Sequence, residues 1–82
     1  MKTSSPKINE ILDILQEECG ELIVAISKIK RFGVSEDNME SFEQEVADVI
    51  CMLYLANEKG LIDLDQLEEK INLKQIKLKK FS

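Results

Sequence analysis

The sequence predicts an all-α protein, and two observations carry this prediction. The chain of 82 residues contains only three glycines and one proline, and it is rich in Glu, Lys, Leu and Ile, which favour helices. Apolar residues recur at helical spacing in three segments, and none of the segments shows the alternation of a β-strand. We therefore expect a single domain over residues 1–82, with a three-helix protomer whose helices span about 6–32, 36–58 and 63–80.

The first predicted helix has a start signal, a stop signal and one wide apolar stripe. Ser4 or Ser5 is a suitable N-cap, and Pro6 is tolerated in a first helical turn because its missing N–H has no partner there. Gly33 supplies a typical C-terminal stop. The stripe consists of Ile8, Ile11, Leu12, Leu15, Cys19, Leu22, Ile23, Ile26 and Ile29.

The second and third predicted helices are also bounded by cap signals. Ser35 is a plausible cap for the second helix, which ends at Gly60. Asp63, with Gln66 three residues later, has the spacing of a capping box for the third helix. The predicted inward face of the third helix consists of Leu64, Leu67, Ile71 and Leu78.

The second helix is apolar on all sides over residues 46–56, where Asp48 is the only charged residue. A helix of this kind is normally buried all round, and one partner helix in so short a chain cannot cover it. We expect a homo-oligomer of the four-helix-bundle type, either a dimer or a tetramer. The alternative is a monomer with an exposed apolar patch.

Composition excludes several classes of function. The net charge of −5 argues against a nucleic-acid partner, since phosphate binding requires clustered Lys and Arg. The longest apolar run, residues 49–56, is far shorter than the roughly 18 residues of a transmembrane helix, so no membrane partner is expected. The opening residues lack a signal-peptide pattern, which favours a cytoplasmic protein. Cys19 and Cys51 are interpreted as reduced core residues.

Five acidic side chains lie beside apolar positions rather than opposite them. At about 100° per residue, Glu18 and Glu21 lie roughly 60° apart on the first helix, and Glu17 lies roughly 40° beyond Glu21. On the second helix, Glu45 and Asp48 are again three residues apart. If the two helices pack antiparallel, their carboxylates meet in one pocket.

Such a cluster needs a counter-charge, because an ionised carboxylate among apolar groups is costly without a cation, a proton or hydrogen-bond donors. The chain contains no histidine, so the ligands would be oxygen atoms, which select Mg²⁺, with Mn²⁺ as the alternative ion. The alternative interpretation is that these are ordinary glutamates of a solvated helix surface.

Together, the EECGE segment at residues 17–21 and the EVAD segment at residues 45–48 resemble the EExxE…ExxD signature of the all-α nucleoside triphosphate pyrophosphohydrolases. That superfamily includes MazG, the dimeric dUTPases and phosphoribosyl-ATP pyrophosphohydrolase. The resemblance implies cleavage between the α- and β-phosphates of a (deoxy)nucleoside triphosphate, which gives a monophosphate and pyrophosphate.

The resemblance also implies roles for individual residues. Glu18, Glu21, Glu45 and Asp48 correspond to the acids that hold Mg²⁺ in the family. Glu17 would orient the attacking water or help to hold a second metal ion.

Candidate phosphate contacts are basic residues on the first and third helices: Lys28, Arg31, Lys74 and Lys77. Their alternative role is a solvated face or a match to the helix dipole. Phe32 and Tyr54 are candidates for base stacking, although core packing is the more ordinary role for both.

The sequence therefore predicts a Mg²⁺-dependent nucleoside triphosphate pyrophosphohydrolase that assembles with itself. One alternative is a non-catalytic helical oligomerisation module in which the acids form salt bridges with the lysines. Another is a nucleotide sensor that keeps the metal site without turnover.

Overall fold

The computed structural model describes residues 6–80, which form three helices and no strand. Helix α1 spans Pro6–Phe32, α2 spans Glu36–Glu58 and α3 spans Leu64–Lys80. These bounds confirm the predicted all-α class, and α3 begins one residue later than expected because Asp63 serves as its cap. The N-caps predicted at Ser4 or Ser5 lie outside the described residues.

A three-residue turn joins α1 to α2 and reverses the chain. Gly33 has φ 91°, a conformation that L side chains rarely adopt, and its N–H donates to the carbonyl of Ile29 at 2.8 Å. Ser35 caps α2, because its Oγ accepts from the N–H of Asn38 at 3.2 Å. The Asn38 side chain in turn donates to the carbonyl of Gly33 at 3.0 Å. With so short a connection, α1 and α2 pack as an antiparallel hairpin.

Side-chain caps also define the corner between α2 and α3. Gly60 has φ 78° and ends α2. The Oδ1 atom of Asp63 accepts from the N–H of Asp65 at 2.9 Å and from that of Gln66 at 3.5 Å, as the predicted cap requires. The Asn57 side chain accepts from the N–H of Leu64 at 3.2 Å, and this bond fixes the point at which α3 leaves the hairpin.

The core lies between α1 and α2 and is small. Its buried apolar side chains among the described residues are Ile11 and Ala25 of α1 and Met52 and Ala56 of α2. The predicted apolar stripe of α1 is only partly buried in the protomer: Leu12, Ile23 and Ile26 are exposed. The physical reason is that a single neighbouring helix covers only the middle of a wide stripe.

The interpretation of the cysteines as core residues is wrong for the protomer. Cys19 and Cys51 are free thiols, as expected, but both are exposed. Neither cysteine lies on the side of its helix that packs against the other helix of the hairpin, so both thiols remain exposed to solvent.

The predicted inward face of α3 is not buried either. Ile71 and Leu78 are exposed, and α3 has no buried residue. The extensive helix–helix contact in the described chain is that between α1 and α2, so α3 leaves the hairpin without packing along it. Because its apolar side finds no partner within the protomer, this helix stays open to solvent.

The protomer is open for its size. Its radius of gyration is 15.6 Å, whereas a compact chain of this length has a radius of about 12 Å. It exposes 6933 Å², whereas a folded monomeric protein of this mass exposes about 5,000 Å². No helix in the described part of the chain combines the length and the apolarity that a bilayer crossing requires.

Replacing Ser35 by Ala should lower the free energy of unfolding by about 1 kcal/mol, because the N–H of Asn38 loses its acceptor at the start of α2. Urea unfolding followed by circular dichroism measures the change. Ser41→Ala is the matched control, since Ser41 is an exposed residue within α2 and alanine favours the helix there. An equal loss in both variants would contradict the capping role.

Candidate metal centre

The antiparallel hairpin brings the two acidic segments to the same level. Glu18 lies on the side of α1 that faces α2, in register with the buried positions Ile11 and Ala25. On α2, Glu45 lies seven residues before the buried Met52 and therefore on the same inward side. The fold thus places carboxylates from both helices within a surface that is otherwise apolar.

Three carboxylates converge at this point. One oxygen atom each from Glu18, Glu21 and Glu45 can be chosen so that all three lie within 4.8 Å of one another. Oxygen ligands of an octahedral Mg²⁺ ion lie about 3 Å apart when adjacent and about 4.2 Å apart when opposite, so three atoms at this spacing could hold one cation after their side chains move closer together. Glu18 and Glu45 are half-buried, whereas Glu21 is exposed at the edge of the group.

Two of the carboxylates carry an oxygen atom that has neither water access nor a donor. The Oε1 atoms of Glu18 and Glu45 are buried and have no hydrogen-bond partner. A buried polar atom without a partner costs free energy, and a charged one costs more. Such atoms are therefore suited to a ligand that supplies positive charge.

The cluster raises the pKa of both side chains. For Glu18 the main cause is burial, and the negative charges of Glu21, Asp48 and Glu17 add to it. For Glu45 the main cause is again burial, followed by the charges of Glu21, Asp48 and Glu18. A side-chain hydrogen bond to Glu21 is the smallest of the causes that raise the pKa of Glu45.

The donor set fits a hard divalent cation. Every candidate ligand atom is a carboxylate oxygen, and the chain has no histidine. Oxygen-only ligation suits Mg²⁺ or Mn²⁺ better than zinc or copper. A cation at this point would coordinate the buried oxygen atoms and would also reduce the repulsion between the carboxylates.

Asp48 lies next to the three-carboxylate group but outside it. Its charge raises the pKa of Glu18 and of Glu45, which shows that it is close to both. However, its Oδ1 atom accepts a hydrogen bond from Nε2 of Gln44 at 3.0 Å. Sequence reasoning missed Gln44, although its spacing of four residues before Asp48 is typical of a helical side-chain pair.

The remaining acid, Glu17, is exposed at the border of the group. Its charge is one of the causes that raise the pKa of Glu18, so it is near the cluster without being part of it. An exposed carboxylate in this position is accessible to a water molecule at the mouth of the site.

The structure brings two of the predicted basic residues together. Lys28 and Arg31 border a shallow cavity of about 260 Å³ on the last turns of α1, with Val24 and Phe32 among its apolar walls. None of the clustered acids lines this cavity. The cavity therefore lies closer to the C-terminal end of α1 than the clustered acids do.

The other predicted basic residues stay apart from the acids within the protomer. Lys74 and Lys77 are exposed on α3, which does not pack along the hairpin. A larger cavity of about 650 Å³ lies at the corner between α2 and α3, where Asn57, Asp63 and Lys70 are among its lining residues. It contains none of the clustered carboxylates.

The two aromatic candidates are not core residues of the protomer. Phe32 is 71% exposed and Tyr54 is 58% exposed, so the expectation of core packing is wrong for both within this chain. Phe32 ends α1 beside Arg31, whereas Tyr54 lies on the outer side of α2.

Comparison with known proteins gives one match. The family model described as the MazG nucleotide pyrophosphohydrolase domain matches residues 7–80, a range that contains both acidic segments, α2, α3 and all of α1 except Pro6. Neither the comparison with curated proteins nor that with solved structures returned a match.

Replacing Glu18 and Glu45 together by Gln should raise the free energy of unfolding near pH 7 in the presence of a chelator. Because the pKa of both groups is raised in the folded state, their contribution to stability is fully present below the ordinary glutamate pKa of about 4 and is lost as pH rises through the folded pKa. The difference in the free energy of unfolding between variant and wild type should therefore increase from acid to neutral pH. Urea unfolding at the two pH values measures this difference.

The matched control is Glu10→Gln with Glu43→Gln, which removes the same two charges from exposed positions of α1 and α2. Its stability should stay close to that of the wild type at both pH values. If the Glu18 and Glu45 variant is less stable than wild type near pH 7 in chelator, the carboxylates are held by interactions other than those described above.

Proposed function

Because the chain belongs to the MazG nucleotide pyrophosphohydrolase domain family, we propose that it is a Mg²⁺-dependent nucleoside triphosphate pyrophosphohydrolase. The proposed reaction cleaves the bond between the α- and β-phosphates of a (deoxy)nucleoside triphosphate and releases a monophosphate and pyrophosphate. The observation that supports it best is the convergence of one carboxylate oxygen from each of Glu18, Glu21 and Glu45. In addition, the Oε1 atoms of Glu18 and Glu45 have no hydrogen-bond partner.

The proposed metal ligands are Glu18, Glu21, Glu45 and Asp48. The first three already converge. Asp48 would join them by exchanging its hydrogen bond with Gln44 for the cation. When bound, Mg²⁺ would neutralise phosphate charge and lower the pKa of a water molecule.

Glu17 is the proposed catalytic residue. It is exposed beside the cluster, where its carboxylate can accept a proton from a water molecule or orient that water toward a phosphorus atom. Gln44 would keep the Asp48 carboxylate near the site in the free protein and is a positioning residue in this scheme.

The proposed substrate contacts are the basic residues Lys28, Arg31, Lys74 and Lys77. Lys28 lies seven residues after Glu21, so it is on the same side of α1 and roughly 10 Å along the helix. That separation suits contact with a terminal phosphate while the acids and their cation hold the phosphates nearer the reacting bond.

We also propose that the working form is a homo-oligomer, a dimer or a tetramer. The outer side of α2 exposes Ile50 and Tyr54, and the protomer exposes far more surface than a compact monomer of its mass. The α1–α2 hairpin supplies two helices, so that two copies can form a four-helix bundle around this side of α2.

The test is product identification by chromatography after incubation with each common ribo- and deoxyribonucleoside triphosphate, with Mg²⁺ and with chelator. Metal-dependent release of monophosphate and pyrophosphate is expected. Release of diphosphate and inorganic phosphate would mean that a different bond is cut, and the proposal would fail. Binding of a triphosphate without any product would favour a nucleotide sensor.

Glu21→Gln and Asp48→Asn should each lower the turnover rate by at least about 100-fold, since each removes a charged ligand from the centre. Helicity and assembly should be unchanged. Glu43→Gln, on an exposed position of α2 away from the cluster, is the control and should retain the wild-type rate. Wild-type turnover in Asp48→Asn would remove Asp48 from the ligand set.

Ile50→Lys should convert the oligomer to monomers, because it places a charge in the apolar side of α2 that a second copy would cover. Sedimentation velocity measures the outcome. Leu73→Lys is the control, because Leu73 is also exposed but lies on the side of α3 opposite Ile71. A monomeric wild type, or an unchanged Ile50→Lys variant, would contradict assembly through this side of α2.

A further inference from the structure

The cavity on the last turns of α1 combines an apolar wall with two positive charges. Val24 and Phe32 are among its apolar residues, and Lys28 and Arg31 border it. Val24 is 54% exposed and Phe32 is 71% exposed, so neither side chain belongs to the core of the protomer. An aromatic ring and two cations around one cavity suit a ligand that has both a flat ring and negative charge.

The cavity lies on the side of α1 that carries Glu21. At about 100° per residue, Lys28 and Phe32 each lie within roughly 20° of Glu21, and Val24 lies roughly 60° away. At about 1.5 Å per residue, Lys28 is roughly 10 Å beyond Glu21 and Phe32 is roughly 16 Å beyond it. A ligand that runs along this side of α1 from the acidic cluster therefore passes Lys28 before it reaches Phe32.

A nucleoside triphosphate is too short to fill this cavity in the proposed orientation. Its terminal phosphate contacts Lys28, and its nucleoside lies at the other end of the phosphate chain. Arg31 and Phe32 follow Lys28 by three and four residues, which places them roughly 5 and 6 Å further along the helix. The aromatic end of the cavity is thus left without any group of a triphosphate to bind.

The cavity has room for one more ring system. Its volume is about 260 Å³, just below the range of about 300–1,000 Å³ that is usual for ligand sites. Aromatic side chains stack on nucleobases of any kind, and an arginine guanidinium stacks on flat rings and donates hydrogen bonds to phosphate. A sugar alone would fit less well, because Ser27 is the only uncharged polar residue among the described residues that line the cavity.

We propose that this cavity binds a second nucleoside at the far end of the phosphate chain, so that the substrates of the protein include dinucleoside polyphosphates. This inference rests on the proposed function and names a substrate class for it. Phe32 stacks on the second base, and Arg31 and Lys28 bind the phosphates next to it. The acidic cluster and its cation hold the phosphates near the first nucleoside.

The reaction balances without any reactant other than water. In a dinucleoside tetraphosphate, the oxygen atom of water adds to the phosphorus next to the first nucleoside, and the bond from this phosphorus to the following bridging oxygen breaks. A nucleoside monophosphate and a nucleoside triphosphate are released, and a proton of the water passes to the Glu17 carboxylate and then to solvent. The departing triphosphate carries the base that was stacked on Phe32.

Matched pairs of tetraphosphates test the proposal. Diadenosine, diguanosine and diuridine tetraphosphate are each compared with the mononucleoside tetraphosphate of the same base, which has as many phosphates but no second ring. Incubation with Mg²⁺ should convert at least one dinucleoside compound to a monophosphate and a triphosphate, as identified by chromatography. Cleavage of the mononucleoside compounds alone would overturn the proposal and leave the proposed function standing.

Phe32→Ala should raise the KM of the dinucleoside compound about 10-fold more than that of its mononucleoside partner, because only the dinucleoside compound loses a stacked base. Phe32→Trp should restore the wild-type ratio of the two KM values, since an indole ring also stacks. Val34→Ala is the matched control: Val34 is 78% exposed but lies in the turn outside the cavity, so the ratio should stay at its wild-type value. An equal rise for both compounds in Phe32→Ala would overturn the proposal.

Calorimetric titration with the same pairs decides the matter if the wild type cleaves no nucleotide, in which case the proposed function fails. A preference of the wild type for the dinucleoside compound that Phe32→Ala abolishes would support the second-nucleoside site. The absence of such a preference would overturn it.

Sedimentation velocity of Phe32→Ala separates the proposal from a role of the cavity in self-assembly. The variant should sediment like the wild type. A shift to monomers, with the ratio of the two KM values unchanged, would assign the cavity to an interface between copies and overturn the proposal.

Discussion

The structure depends on one electrostatic constraint, the convergence of three carboxylates between two packed helices. Glu18 and Glu45 each bury an oxygen atom without a donor, at the level where α1 and α2 meet. Without a cation, burial and mutual repulsion raise the pKa of both groups, so that the hairpin carries an unfavourable charge at neutral pH. The same arrangement would become favourable with the proposed divalent cation between the oxygens, and the stability of the fold would then depend on that ion.

Much of the fold could be predicted from the sequence because its signals are local. Ser35, Gly33 and Asp63 act through bonds to residues no more than five positions away, and such bonds follow from short-range spacing. The pairing of the acids was also predictable, because three-residue spacing on two antiparallel helices fixes which side chains meet. These features depend on helix geometry alone.

The errors concern what covers each helix, which is not a local property. Helical spacing identifies an apolar stripe but does not say how many neighbours bury it. Cys19 and Ile71 therefore match a core pattern and yet lie exposed in the protomer. The hydrogen bond of Asp48 with Gln44 was missed for a different reason: four-residue spacing permits such a pair but does not fix the side-chain rotamers that form it.

The open surface of the protomer and its small core are related features. A hairpin with a small core leaves the outer side of α2 and the apolar side of α3 exposed. The proposed second copy would cover part of this surface and thereby add stability.

The most direct test of the central claim is calorimetric titration of the wild type with Mg²⁺ near pH 7, beside the Glu18→Gln/Glu45→Gln variant. We predict saturable binding to the wild type and no measurable binding to the variant, which lacks two of the three converging carboxylates. Equal binding by both proteins, or none by the wild type, would contradict the claim that a divalent cation explains why these carboxylates converge.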